Sequence, residues 1–94
     1  MEFKHMKGDD RVKIVMYALS TCIWCRKTKR LLNNLGVAYD YVDVDLLEGE
    51  EKETAQNDLK TWNPKGSFPT LVFDDTTCVV GFNEEKIREA LVHE

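Results

Sequence analysis

Two cysteines, Cys22 and Cys25, stand three residues apart where a run of β-branched residues gives way to a helical pattern, and this junction constrains the chain more than any other feature. A thiol on the first turn of a helix faces unpaired backbone N–H groups and the positive end of the helix dipole, both of which favour thiolate over thiol. Cys22 is therefore expected to titrate below a free cysteine, with Arg26 nearby adding to the effect. A second thiol within reach of the first supplies the minimum equipment for thiol–disulfide exchange, in which one sulfur attacks a disulfide and the other resolves the mixed disulfide.

The rest of the chain reads as the frame for that junction. Val12–Ala18 is almost continuously apolar and predicts a central strand covered on both faces. Ser20 and Thr21 are the expected cap of a helix carrying Cys25, Thr28, Leu32 and Leu35 on one stripe with Leu31 beside it, and Gly36 is its stop. Val37–Val44 predicts a second strand, whose aspartates suggest a sheet edge. Ala55, Leu59 and Trp62 have helical spacing within a segment from Leu46 to Trp62, ended by Asn63-Pro64. Ser67–Phe73 and Thr76–Val80 predict a hairpin turning at Asp74-Asp75, and Asn83 caps a last helix with Ile87, Ala90 and Leu91 inward. Cys78 falls in an alternating strand and is expected as a small core residue.

A chain of 94 residues has room for one domain with one core. Residues 1–10 read as a flexible leader and residues 11–94 as the domain. Acids outnumber bases by 17 to 13, which argues against nucleic acid as the main partner. Three cysteines, an odd count, fit a reducing compartment better than a secreted disulfide framework. With no apolar leader and no run long enough to span a bilayer, the expectation is a cytoplasmic, monomeric protein without membrane contact. A structural zinc site would need four ligands, and neither a second C-x-x-C nor a paired histidine is present, so no metal site is expected. His5 and His93 receive no role.

Cys22-Ile23-Trp24-Cys25 at a strand-to-helix turn, Phe68-Pro69-Thr70 entering the third strand of the order β-α-β-α-β-β-α, and Gly81 after the fourth resemble the glutaredoxin branch of the thioredoxin fold. The resemblance covers nearly all of the chain from Val12 to Val92. It implies a four-stranded mixed sheet flanked by three helices, with Cys22 as nucleophile, Cys25 as resolving thiol and Pro69 as the cis-proline that brings Phe68 beside Cys22. It further implies substrate or glutathione contacts from Thr21, Ile23, Trp24, Arg26, Lys65, Phe68, Pro69, Gly81, Phe82, Asn83 and Glu84. Protein disulfides or glutathione mixed disulfides are the implied substrates, with thioredoxin reductase or glutathione as electron donor and no tightly bound cofactor.

The departures from the family pattern bear on the donor. Leu19 stands where a lysine is usual, Ile23-Trp24 where Pro-Tyr is usual, and Gly81-Phe82 where Gly-Gly is usual. Gly-Phe is similar to redoxins that serve ribonucleotide reductase and accept electrons from thioredoxin reductase. Phe82, Trp24 and Phe68 are expected to form an apolar rim around Cys22 that suits a protein partner, and glutathione binding is expected to be weak. The alternative from another class is an iron–sulfur carrier, since some glutaredoxin relatives hold a cluster between two subunits.

Overall fold

In the computed structural model, which describes residues 3–92, the central strand β2 (Ile14–Ala18) is buried as its sequence demands, with Met16 and Ala18 fully inaccessible. It pairs in parallel with β3 (Tyr39–Asp43) and antiparallel with β4 (Thr70–Phe73), and β4 pairs in turn with β5 (Thr77–Val80). The hairpin turn between β4 and β5 holds Asp74 and Asp75 at φ 52° and 57°, the left-handed conformation that aspartate tolerates and that a primed turn requires.

The sheet has five strands, not the expected four. Residues Lys4–Met6, assigned from the sequence to a flexible leader, form β1 and pair antiparallel with β3, giving the order β1-β3-β2-β4-β5. The strand β3 is therefore interior, which corrects the expectation of an edge drawn from its aspartates. Asp40 uses its carboxylate across that new pair, where it meets His5 Nδ1 at 2.7 Å. Leading out of β1, Gly8 passes so close to the turn after the first helix that an added Cβ would lie 2.5 Å from the Val37 carbonyl carbon and 2.7 Å from the Gly36 oxygen. Asp9 then bonds on both sides of Val37, its N–H to Gly36 O and its C=O to the Ala38 N–H, each at 2.8 Å. Because the obstacles are backbone, Gly8→Ala is expected to detach this strap at a cost of about 1–3 kcal/mol. A thermal melt should show the lower midpoint, and an unchanged one would mean the strap contributes nothing to stability.

Helices cover both faces of the sheet. The helices α1 (Ile23–Asn34) and α3 (Glu84–Leu91) bury Cys25, Leu31, Leu32 and Ile87 against Ile14, Met16, Ala18, Leu71, Phe73 and Val79. On the other face, α2 (Gly49–Trp62) buries Ala55 and Leu59 against Tyr17, Val42 and Val72, with Trp62 half-buried at its end. A short 3-10 turn, Val44–Leu46, joins β3 to α2 in place of the helical start expected at Leu46. The Gly36 stop is as read: at φ 70° it donates to Asn33 O, and the next N–H, from Val37, reaches Leu32 O, the bond pattern of a glycine C-terminal cap. Cys78 is half-buried on the edge strand opposite Val72 rather than in the core, and burial pushes its thiol pKa up. No helix among the described residues is long and apolar enough to cross a membrane.

Candidate functional site

The end of β2 delivers the chain to Cys22, and Cys22 itself caps α1. Its Sγ accepts the Cys25 backbone N–H at 3.1 Å, while its own N–H returns to Leu19 O at 3.2 Å. This corrects the assignment of the cap to Ser20 and Thr21. Ser20 is held elsewhere: its N–H donates to Asp45 Oδ1 at 2.8 Å and its hydroxyl to Asp45 Oδ2. These two bonds hold the Asp45 carboxyl below the usual carboxylate range and pin the loop before Cys22 to the 3-10 turn after β3. The cap bond places an N–H dipole on the Cys22 sulfur, where it stabilises negative charge.

The two thiols differ sharply. Cys22 is half-buried and can be approached from solvent, whereas Cys25 is fully inaccessible in the core beneath it. Burial pushes the Cys25 thiol pKa up to about 12, and its hydrogen bond to Cys22 pushes in the same direction. Both are free thiols.

Around Cys22 the surface is apolar and aromatic. Ile23 and Trp24 are more than half exposed, at 57% and 52%. Trp24 stacks on Phe82 with ring centroids 6.2 Å apart and 24° between planes, and Lys27 Nζ lies 4.7 Å from the Trp24 ring. The stack ties the start of α1 to the loop before α3. Phe68 packs deeper, between the two apolar cores. The Phe68–Pro69 peptide is cis, and Pro69 O accepts the Gly81 N–H at 2.8 Å, so the proline loop and the Gly81-Phe82 loop are one connected unit. Asn83 caps α3 by accepting the Lys86 N–H at 3.1 Å, and Glu84 pairs with Arg88 at 2.9 Å. The expected site residues thus gather at one pole, on the exits of β2 and β5 and the entry to β4. Thr21, Arg26 and Lys65 are exposed on that frame, and neither Arg26 nor Lys65 makes an ion pair among the described residues.

Two positioning groups escape the sequence reading. Asn63, read only as a helix stop, is buried and donates to Ser67 Oγ at 2.9 Å and Thr70 Oγ1 at 3.1 Å while accepting the Lys65 N–H at 3.2 Å. It organises the loop that leads to Pro69. An Asn at a helix end with Ser and Thr four and seven residues later is its visible trace. Asp45 is the second, and its distance of 25 residues from Ser20 leaves no trace in the sequence. A cleft of about 410 Å³ lies at the opposite pole, between Asp9, Arg11, Asp74 and Leu91, away from the thiols. No cluster of three or more metal-ligating side chains forms among the described residues.

Comparison with known proteins agrees with this arrangement. The chain is 57% identical to methanoredoxin of Methanosarcina acetivorans, with a TM-score of 0.87 over 92% of this chain and 90% of that one. It is 52% identical to a glutaredoxin from Methanosarcina mazei Go1, with a TM-score of 0.90 over 97% and 88%. Glutaredoxin 1 of Rickettsia prowazekii is 34% identical over 76 residues, 78% of this chain and 77% of its own length. The chain also aligns with glutathione S-transferase Z1 of Arabidopsis thaliana, of which it spans only 37%. Residues 14–78 match the glutaredoxin family, and with the thioredoxin-like fold around a Cys22–Cys25 pair the chain belongs to that family of thiol oxidoreductases.

Proposed function

We propose that this chain reduces protein disulfides through a Cys22/Cys25 dithiol and takes its electrons from a protein reductase in preference to glutathione. In the first step the Cys22 thiolate attacks one sulfur of the substrate disulfide, forming a mixed disulfide and releasing the other sulfur as a thiolate that takes up a proton. In the second, Cys25 loses its proton and attacks Cys22 Sγ, closing the Cys22–Cys25 disulfide and releasing the second substrate sulfur as a thiol. Two electrons pass from the dithiol to the substrate. The observation that carries this reading is the asymmetry of the pair, an accessible sulfur under an N–H donor above a fully buried one.

The donor preference is supported by the loop before α3. Phe82 places a ring, stacked on Trp24, where a second glycine would leave space. Asn83 already occupies the Lys86 N–H at the start of α3, and Glu84 and Glu85 bring negative charge to the same turn. An anionic end of glutathione meets a crowded and acidic helix N-terminus there. The exposed Ile23 and Trp24 suit the surface of a protein instead.

The test is reduction of one disulfide protein with NADPH and thioredoxin reductase, run beside NADPH with glutathione and glutathione reductase. Turnover is expected with the first system and weak turnover with the second, and Phe82→Gly should raise the second. Turnover with glutathione alone would refute the donor assignment.

A further inference from the structure

Resolution as proposed above requires Cys25 to give up its proton inside an apolar core, and one cation of α1, Lys29, is itself largely buried. Lys29 lies four residues after Cys25 on α1, so the two side chains share one helix face, with Cβ atoms roughly 5–6 Å apart. Its side chain is only 21% exposed, unlike those of Arg26, Lys27 and Arg30 on the same helix. Two groups fix it there. Asp43 Oδ1 is 3.3 Å from Nζ, on a carboxylate only 12% exposed, and the Tyr41 ring centroid is 3.9 Å away. Asp43 is the last residue of β3 and stands in register with Ala18, where β2 ends and the loop to Cys22 begins. The ammonium is therefore anchored from β3, beside the strand end that carries the thiols.

We propose that Lys29 is a positioning residue for the resolving step: its ammonium, held in place by Asp43 and Tyr41, stabilises the negative charge that forms on the Cys25 sulfur when this thiol attacks the mixed disulfide. This inference rests on the assignment of Cys22 as attacking and Cys25 as resolving thiol. The proton leaves Cys25, the new bond is Cys25 Sγ to Cys22 Sγ, and the bond that breaks joins Cys22 Sγ to the substrate sulfur, which departs with the electron pair and is protonated. Lys29 keeps its proton throughout. Half-burial keeps its field on the sulfur from being screened as the exposed cations are, and it opposes the rise in the Cys25 pKa that burial causes. Asp43 anchors the ammonium and also offsets part of its charge.

The competing explanation is an ion pair that only steadies the fold, and the two partners separate the cases. If the pair is merely structural, losing either partner harms resolution alike. If the cation acts on Cys25, removing Lys29 slows resolution and Asp43→Asn does not, because asparagine keeps an oxygen that accepts from the ammonium while the opposing charge is gone. The reduced protein is mixed with increasing bis(hydroxyethyl) disulfide, quenched in acid, and its reduced, mixed-disulfide and Cys22–Cys25 forms are counted by mass spectrometry. The initial slope of rate against reagent reports attack by Cys22, and the plateau reports resolution by Cys25.

Lys29→Met is expected to lower the plateau by about tenfold, the scale of one charge within about 10 Å in a partly buried site, while leaving the slope nearly unchanged. Lys29→Arg should restore most of the plateau, and Asp43→Asn should hold or raise it. Because Lys29→Met leaves Asp43 without its cation and can fail to fold, the Lys29→Met/Asp43→Asn double variant provides a second reading, with a plateau below that of Asp43→Asn alone. Equal plateaus in those two, or a plateau lowered as much by Asp43→Asn as by Lys29→Met, would overturn the role of Lys29. Wild-type protein that stops at the mixed disulfide would overturn the two-thiol assignment beneath it as well.

Discussion

Cys22→Ser is expected to abolish disulfide reduction, with a loss on the order of a thousandfold or more because the group that forms the covalent intermediate is gone. Serine keeps the cap geometry, since its hydroxyl can accept the Cys25 N–H as Cys22 Sγ does at 3.1 Å. The fold should therefore survive, and circular dichroism would separate lost chemistry from lost structure. Cys78→Ser is the matched control. Cys78 sits on the edge strand opposite Val72, remote from the cap of α1, and its replacement should leave turnover within about twofold. An assay on the two variants side by side decides the point, and a Cys78→Ser protein that folds but is inactive would place a necessary thiol outside the pair.

The second large effect lies in the core under α3. Ile87 is fully buried and holds this helix against the same cluster that encloses Cys25. Ile87→Ala should cost about 2–5 kcal/mol, a large part of the roughly 5–15 kcal/mol that stabilises a domain of this size. Denaturant unfolding would measure it. Since α3 begins just after Phe82, the loss should also loosen the Trp24–Phe82 stack, and tryptophan fluorescence of the native state is expected to shift. A change below about 1 kcal/mol would mean that α3 repacks without Ile87.

Local signals in the sequence account for the parts of this molecule that were legible in advance. Helix α1 announces its buried face through Cys25, Thr28, Leu31 and Leu32 and its end through Gly36, because burial periodicity and a left-handed glycine are both nearest-neighbour properties. The Asn83 cap and the Asp74-Asp75 turn are of the same kind. What stayed hidden depends on partners far along the chain. Lys4–Met6 carries little strand character of its own and becomes β1 only because β3 offers an open edge. Ser20 looks like a cap in isolation, and Asp45, which claims it, is 25 residues away. The aspartates of β3 suggest solvent, yet Asp40 meets His5 and Asp43 meets Lys29, so each charge is answered within the fold. The site followed the same division: the thiol pair and the cis Phe68–Pro69 peptide came from the motif, while Asn63 and Asp45, which hold the surrounding loops, required the structure.

The division of labour between the two sulfurs is tested most directly by giving reduced Cys25→Ser protein a disulfide substrate and determining the mass and attachment site of the product. With no resolving thiol beneath it, Cys22 should retain half of the substrate as a stable mixed disulfide, one adduct per chain on the peptide that contains Cys22. An adduct on Cys78, or a Cys25→Ser protein that remains unmodified while the wild-type chain is oxidised, would contradict the assignment of Cys22 as the attacking sulfur.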